Sequence, residues 1–295
     1  IGDAIPTVLT MTVVPILGAG SSMADYKIGF KWWALIIAVV FVISELVCVV
    51  CVPERPVACD EKPGKISDMF KALFKNDQAM TVVVSIILVY TSLNICGNLV
   101  LYFFRFDVGN EGAYSIFAAV AFAAQVLVMM VIPLLRKRFS KSQLFISGFI
   151  IQIAGFAVIL IMAFAKLYTP QSWYILCLPG ILIYLGYGML NVIMTIFLSD
   201  SVDYGEVMNG TREESVIFSM QTFTVKLASG VAVFLAGLVV DWIHLDTAAA
   251  VQTQDTLRMW MTIPSVILLI VGIFVFKRFY KLDDTRMEEI KSKLN

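Results

Sequence analysis

The chain has 295 residues, of which 59% are hydrophobic and 15% charged, and its formal net charge is +0. Its mean hydropathy is +0.86. Soluble domains are typically about 25% charged and 45–50% apolar, so this composition excludes an ordinary soluble fold. It indicates an all-α polytopic membrane protein. The balanced charge offers no basic face, and we expect no nucleic-acid partner.

Eight apolar segments each approach the length of about 20 residues that a helix needs to cross a bilayer. They cover residues 4–20, 32–52, 79–104, 112–134, 143–165, 173–199, 216–243 and 259–276. The first segment is the weakest because it contains Pro6 and Pro15. Neighbouring helices can compensate for a proline inside a membrane, so we predict a span there as well.

The longest connection, residues 53–78, marks the clearest boundary. Its second half, 66–75, has apolar residues at helical spacing with lysines between them, which predicts an amphipathic helix at the membrane surface. Two spans precede this connection and six follow it, as at the central cytoplasmic loop of a twelve-helix transporter. We therefore expect four further spans before Ile1. The predicted domains are the last two helices of an N-terminal bundle (1–52), the central cytoplasmic loop (53–78), a six-helix C-terminal bundle (79–276) and a cytoplasmic tail (277–295).

Lysine and arginine concentrate in alternate connections, namely 53–78, 135–142 and 277–295. Cytoplasmic loops carry an excess of these residues. The pattern predicts a multi-pass protein of the plasma (inner) membrane with a cytoplasmic C-terminus.

Lys226 lies deep inside the apolar segment 216–243, where an ammonium group costs about 2.5–3.5 kcal/mol. Such a charge usually faces a polar cavity and acts there. Thr222 lies one helical turn away on the same face, with Gln221 beside it. These three side chains suit sugar hydroxyls or a carboxylate partner, so we predict that they bind substrate. The alternative is a lysine that extends to the interface, which the depth of Lys226 disfavours.

Asn94 and Asn98 are also one helical turn apart within a span and therefore share a face. That face either lines a cavity or forms hydrogen bonds between helices. We include both asparagines among the predicted substrate-binding residues.

The segment 200–215 is acidic, although the other connections on its side of the membrane are basic. Asp200 and Asp203 would share a helix face. We expect ion pairs that close a cytoplasmic gate, with Arg212, with the basic segment that contains Arg136 and Arg138, or with N-terminal residues that precede this chain. The alternative is a solvated loop whose ion pairs contribute about 0–1 kcal/mol each. No histidine or further acid completes a catalytic or metal-binding pattern in the sequence, so we expect no enzyme and no metal site in this chain.

Together these residues resemble a known signature. It comprises Asp200-Ser-Val-Asp-Tyr-Gly-Glu206, Arg212, Ser219, Gln221, Thr222 and Lys226, with Lys75-Asn-Asp-Gln78 at the end of the central loop. The chain resembles the glycoside–pentoside–hexuronide:cation symporters, the family of melibiose permease. The resemblance covers essentially the whole chain. It implies a partial major facilitator fold of about eight of twelve transmembrane helices, corresponding to helices five to twelve.

The resemblance also implies a function, namely uptake of a sugar (a glycoside or oligosaccharide) by alternating access, coupled to Na⁺, H⁺ or Li⁺ and without another cofactor. Lys226, Gln221 and Thr222 match positions near the sugar, and Asp200, Asp203 and Arg212 match a cytoplasmic gate. Asn191 stands where melibiose permease has a sugar-facing tryptophan, which puts melibiose itself in doubt as the substrate. The alternatives are an uncoupled sugar facilitator and a non-transporting membrane sensor or scaffold.

The main sugar and cation carboxylates of the family lie on helices one, two and four. We therefore expect the partners of this chain to be a sugar, the lipid bilayer and the N-terminal helices of the same protein. The expected location is a bacterial inner membrane.

Overall fold

The computed structural model describes residues 4–19, 23–51, 74–210, 214–243 and 251–294. The chain divides into two compact units, Ile1–Gly64 and Lys65–Asn295, and the division falls inside the predicted central loop. Most of the predicted amphipathic helix at 66–75 lies outside the described residues, as does Arg212.

The first unit contains two helices that pack against each other, α1 (Ala4–Gly18) and α2 (Met23–Cys51). A Cβ atom on Gly29 would lie 2.1 Å from the carbonyl oxygen of Val14, so the close approach of the two helices requires glycine. With 15 residues, α1 extends about 22 Å, which is less than the thickness of about 30 Å of a hydrocarbon core. The predicted span at 4–20 is therefore a shorter helix than expected.

The second unit contains six long helices within the described ranges. They are α3 (Asp77–Tyr102), α4 (Ala113–Leu135), α5 (Lys141–Phe164), α6 (Cys177–Asn209), α7 (Glu214–Trp242) and α8 (Val251–Phe279). A π-helical turn, Phe103–Val108, continues α3, and the short α9 (Asp284–Leu294) follows α8. Among the described residues, 7 helices are long and apolar enough to cross a membrane, namely α2 and α3 to α8. The chain is therefore part of a multi-pass helical membrane protein.

Close helix packing determines the arrangement of the six helices. α6 packs against α4 and α5, whereas α3 packs against α7 and α8. A Cβ atom on Gly186 of α6 would lie 2.6 Å from the carbonyl oxygen of Gly148 on α5. Only glycine permits this approach, as expected where small residues let membrane helices meet.

One helix continues beyond its predicted apolar segment, and the chain after α8 folds back onto the bundle. α6 runs to Asn209, ten residues beyond the predicted end at 199, and is followed by Gly210, whose φ of 74° is left-handed, so Asp200 and Asp203 both lie on this helix. After α8, the chain packs Leu282, Met287 and Ile290 against α6. Much of the predicted tail is therefore part of the bundle. We call this end of the bundle the α9 end.

At the opposite end, Arg258 of α8 forms a buried ion pair with Asp107 of the π-helical turn. The two side chains are 3% and 2% exposed. Arg258 Nε donates to Asp107 Oδ2 at 2.8 Å, and the Tyr168 hydroxyl donates to the same oxygen at 2.5 Å. Burial and the bond to Asp107 raise the pKa of Tyr168, so it remains a neutral donor. The pair therefore ties together α3, α8 and the connection after α5.

Substitutions of two aspartates test the contribution of this pair. Asp107→Asn leaves a buried arginine without its main partner and should cost about 3–5 kcal/mol of unfolding free energy. Asp255 bonds the same arginine but is 39% exposed, so Asp255→Asn should cost about 0–1 kcal/mol. Thermal unfolding of the purified protein in detergent measures both. Equal losses of unfolding free energy in the two variants would contradict the assignment of Asp107 as the main partner of Arg258.

Candidate functional site

Polar side chains form a stripe along α3. Tyr90, Asn94 and Asn98 follow one another at four-residue spacing and share a face. Asn94 Nδ2 donates to the carbonyl oxygen of Tyr90, and Asn98 Nδ2 donates to that of Asn94, both at 2.7 Å. These bonds leave the side-chain oxygens as acceptors. Asn94 Oδ1 accepts a hydrogen bond from Ser229 Oγ of α7 at 3.1 Å.

A second contact joins the stripe to α6. Asn191 Nδ2 donates to the Tyr90 hydroxyl at 2.7 Å and to the Tyr187 hydroxyl at 3.4 Å. The rings of Tyr90 and Tyr187 meet edge to face with centroids 5.6 Å apart. Three helices thus share one set of polar contacts, which we call the polar seam: Tyr90, Asn94, Asn98, Tyr187, Asn191 and Ser229.

Lys226 borders the polar seam. It lies near the middle of α7, one helical turn before Ser229, and its side chain is exposed. Within the described part of the chain it forms no ion pair. Thr222 is exposed and donates to the carbonyl oxygen of Phe218 at 3.3 Å, and Gln221 is half-buried. The structure therefore brings the three predicted asparagines together, with Lys226 beside them and Gln221 and Thr222 further along α7.

The polar seam combines amide, phenol and hydroxyl groups that donate and accept hydrogen bonds, beside one ammonium group. Such groups recognise hydroxyl-rich molecules, and the ammonium group can also pair with a carboxylate. Tyr90 and Tyr187 were not predicted from the sequence, although each stands four residues before a predicted asparagine. Ser229 was not predicted either, because its partner depends on how α7 packs against α3.

A cluster of charged residues lies at the α9 end. Lys141 begins α5 and Asp200 lies on α6; both side chains are 7% exposed, and the ammonium donates to the carboxylate. Asp284 of α9 joins them, because its Oδ1 lies 3.4 Å from Lys141 Nζ and 3.4 Å from Arg136 Nη2. These four residues form the charged cluster.

The two carboxylates of the charged cluster differ in environment. Partial burial of Asp284 opposes its ionisation, but the bonds from Arg136 and Lys141 outweigh burial and lower the pKa of its carboxyl group. Ionised Asp284 therefore stabilises the fold at pH values above the ordinary carboxyl pKa. This stabilisation is lost as the pH falls through the lowered pKa. Asp200 is buried, so loss of its partner would leave an uncompensated charge.

Only some of the predicted gate residues belong to the charged cluster. Asp200 and Arg136 belong to the charged cluster, and Asp203 lies one turn after Asp200, half-buried. Arg138 is exposed and takes no part in the ion pairs among the described residues. Asp284 was not predicted, because nothing in the sequence shows that α9 folds back onto the bundle.

Two separate parts of the sequence signature contact each other beside the charged cluster. Asn76 caps α3 by accepting from the Ala79 amide at 2.9 Å, and its Nδ2 donates to the carbonyl oxygen of Ser201 at 2.8 Å. A Cβ atom on Gly205 would lie 2.8 Å from Asn76 Nδ2, so glycine makes room for this contact. The segments 75–78 and 200–206 therefore act as one structural unit.

Removal of one charge tests the charged cluster. Lys141→Met should lower the unfolding free energy by about 3–5 kcal/mol, because Asp200 stays buried and unpaired. The double variant Lys141→Met/Asp200→Asn should recover most of this loss. The control Arg138→Met, in the same basic segment but exposed, should change stability by about 0.5 kcal/mol or less. Thermal unfolding measures all three, and a double variant that is no more stable than Lys141→Met would refute the coupling.

Comparison with known proteins shows the family of the chain. The family model described as MFS/sugar transport protein matches residues 1–284. The raffinose carrier protein of Pediococcus pentosaceus is 24% identical over 304 residues, covering 100% of this chain and 46% of its own length. The isoprimeverose transporter of Lactiplantibacillus pentosus is 25% identical, with coverage of 96% and 58%.

The lactose permease of Lactobacillus delbrueckii subsp. bulgaricus is 22% identical, with coverage of 91% of this chain and 43% of its own length. The chain thus spans about half the length of these curated relatives. The match over nearly all of its residues shows that the chain belongs to the MFS/sugar transport protein family, and to the glycoside–pentoside–hexuronide:cation symporters within the major facilitator superfamily.

Proposed function

We propose that this protein carries a sugar across a bacterial inner membrane together with a cation. The observation that carries the proposal is the polar seam with Lys226 beside it, set among helices that are otherwise apolar. Intramembrane charges and amides of this kind mark substrate pathways. The matched relatives are named for raffinose, isoprimeverose and lactose, so their names support a sugar without selecting one.

The proposed binding residues are Lys226, Asn94, Asn98 and Asn191, with Gln221 and Thr222 further along α7. Sugar hydroxyls replace the hydrogen bonds that now join the three helices. Each such bond contributes only about 0.5–1.5 kcal/mol net, so the exchange is energetically possible. Lys226 supplies a stronger, charge-assisted bond of about 1.5–3 kcal/mol.

The proposed orientation places the α9 end in the cytoplasm, because the lysine- and arginine-rich segments 135–142 and 277–295 meet there. The charged cluster then holds the cytoplasmic ends of α5, α6 and α9 together. In alternating access, a bundle whose helix ends are held together by ion pairs moves as one body against a second bundle. Asp203 and Arg212 remain candidates for contacts that form when the cytoplasmic side closes.

The proposed coupling cation is Na⁺, H⁺ or Li⁺. A cation that binds with the sugar raises the affinity for sugar, and the sugar raises the affinity for the cation by the same factor. Family membership supports coupling. Flux that depends on the cation gradient distinguishes a symporter from an uncoupled facilitator, and any sugar flux excludes a sensor or scaffold.

Substitution of Lys226 tests the proposed function. Lys226→Ala should weaken sugar uptake about tenfold or more, since it removes a charge-assisted hydrogen bond. Uptake of labelled sugar is measured in cells that express the protein from its complete gene, with Na⁺, H⁺ and Li⁺ varied. Lys137→Ala, which removes an exposed lysine, should leave uptake unchanged. Normal cation-driven accumulation by Lys226→Ala, at normal expression, would refute the role of this lysine.

A further inference from the structure

A cavity of about 450 Å³ continues the polar seam toward the end of the bundle that holds Arg258. It lies between α3 and α7, and its polar lining residues are Asn98, Tyr102 and Asp241. Asn98 also belongs to the polar seam, because its amide donates to the carbonyl oxygen of Asn94. The cavity and the polar seam are therefore continuous along α3.

Side-chain size on α7 explains the cavity. Gly237 lies in its wall, and a Cβ atom at this position would meet no atom within 4 Å. Val233, Gly237 and Asp241 follow at four-residue spacing and share one exposed face of α7, next to the buried Ala236 that also lines the cavity. The missing side chain at Gly237 opens space between one polar residue on α7 and two on α3.

The polar groups of the cavity are available to a ligand. Asn98 Oδ1 is left as an acceptor, because only the amide nitrogen is used within α3. Tyr102 stacks on Phe106 with centroids 6.5 Å apart, which fixes its ring. Asp241 is exposed, and among the described residues it forms no ion pair. A carboxylate, an amide oxygen and a phenol suit the hydroxyl groups of a neutral sugar ring.

We propose that this cavity is a second sugar subsite, which holds an additional sugar unit of an oligosaccharide whose first unit occupies the polar seam. The inference rests on the proposed function and adds to it a second binding position, between α3 and α7, for the remaining unit of an oligosaccharide. The stripe from Asn94 to Tyr102 extends about 12 Å along α3, enough for two linked rings. The cavity volume is that of a small-molecule site. The carboxylate of Asp241 disfavours an acidic sugar in this subsite.

Two variants test the subsite. Gly237→Leu fills the cavity where the structure has open space, and Asp241→Asn removes the charged acceptor. Uptake kinetics are measured in the protein expressed from its complete gene, using pairs of a disaccharide and the methyl glycoside of its first sugar, for example lactose and methyl β-galactoside. Glucoside and xyloside pairs complete the panel.

Both variants should raise the KM for the disaccharide about tenfold and leave the KM for the methyl glycoside unchanged. Ala157→Leu, which adds one carbon atom less than Gly237→Leu and lies on the exposed face of α5, should change neither. If Gly237→Leu does not fold, Asp241→Asn still decides the question. Equal effects on both sugars of a pair, no effect on either, or uptake of methyl glycosides alone would overturn the subsite.

The same panel separates this inference from the proposed function. Lys226→Ala should weaken uptake of both sugars of every pair, because Lys226 borders the polar seam and not the cavity. Absence of flux for every pair would overturn the proposed function, and the subsite with it. If sugars are transported but the cavity variants affect both sugars of a pair equally, the subsite alone is overturned.

Discussion

Polar side chains inside a bilayer must find partners within the protein, because hydrocarbon offers none. In this bundle, Asn191 of α6 bonds to Tyr90 of α3, and Ser229 of α7 bonds to Asn94 of α3. These contacts orient the polar faces of three helices toward one another. The same constraint therefore both packs the helices and gathers the groups that a hydroxyl-rich ligand needs.

The bundle uses stronger interactions at its ends than in its middle. Arg258 with Asp107, and Lys141 with Asp200, are buried charged pairs whose disruption costs about 3–5 kcal/mol. The polar seam contains neutral hydrogen bonds of about 0.5–1.5 kcal/mol each. This distribution suits the proposed transport. The ends hold the helices in one body, while the bonds in the middle are weak enough to be exchanged for those of a substrate.

The sequence predicted those site residues whose signal depends only on their own type and on residues close to them in the chain. The four-residue spacing of Asn94 and Asn98 predicts a shared face, and the cost of an ammonium in hydrocarbon singles out Lys226. The sequence did not reveal Ser229, Asp107 or Asp284 as partners, because each contact depends on how distant helices rotate and pack. The boundary at Asp200 was wrong for a related reason. Hydropathy marks where a helix leaves the membrane, whereas backbone hydrogen bonds continue to Asn209.

Occupation of the polar seam by sugar can be measured at Ser229, where α7 meets α3. Ser229→Cys, in a variant whose native cysteines are replaced, places a reactive thiol in this seam. The rate of its modification by a small hydrophilic thiol reagent measures access to the seam. The account predicts that a transported sugar slows the modification, while Ser292→Cys on the exposed surface of α9 reacts at an unchanged rate. Equal modification of Ser229→Cys with and without sugar would contradict the account.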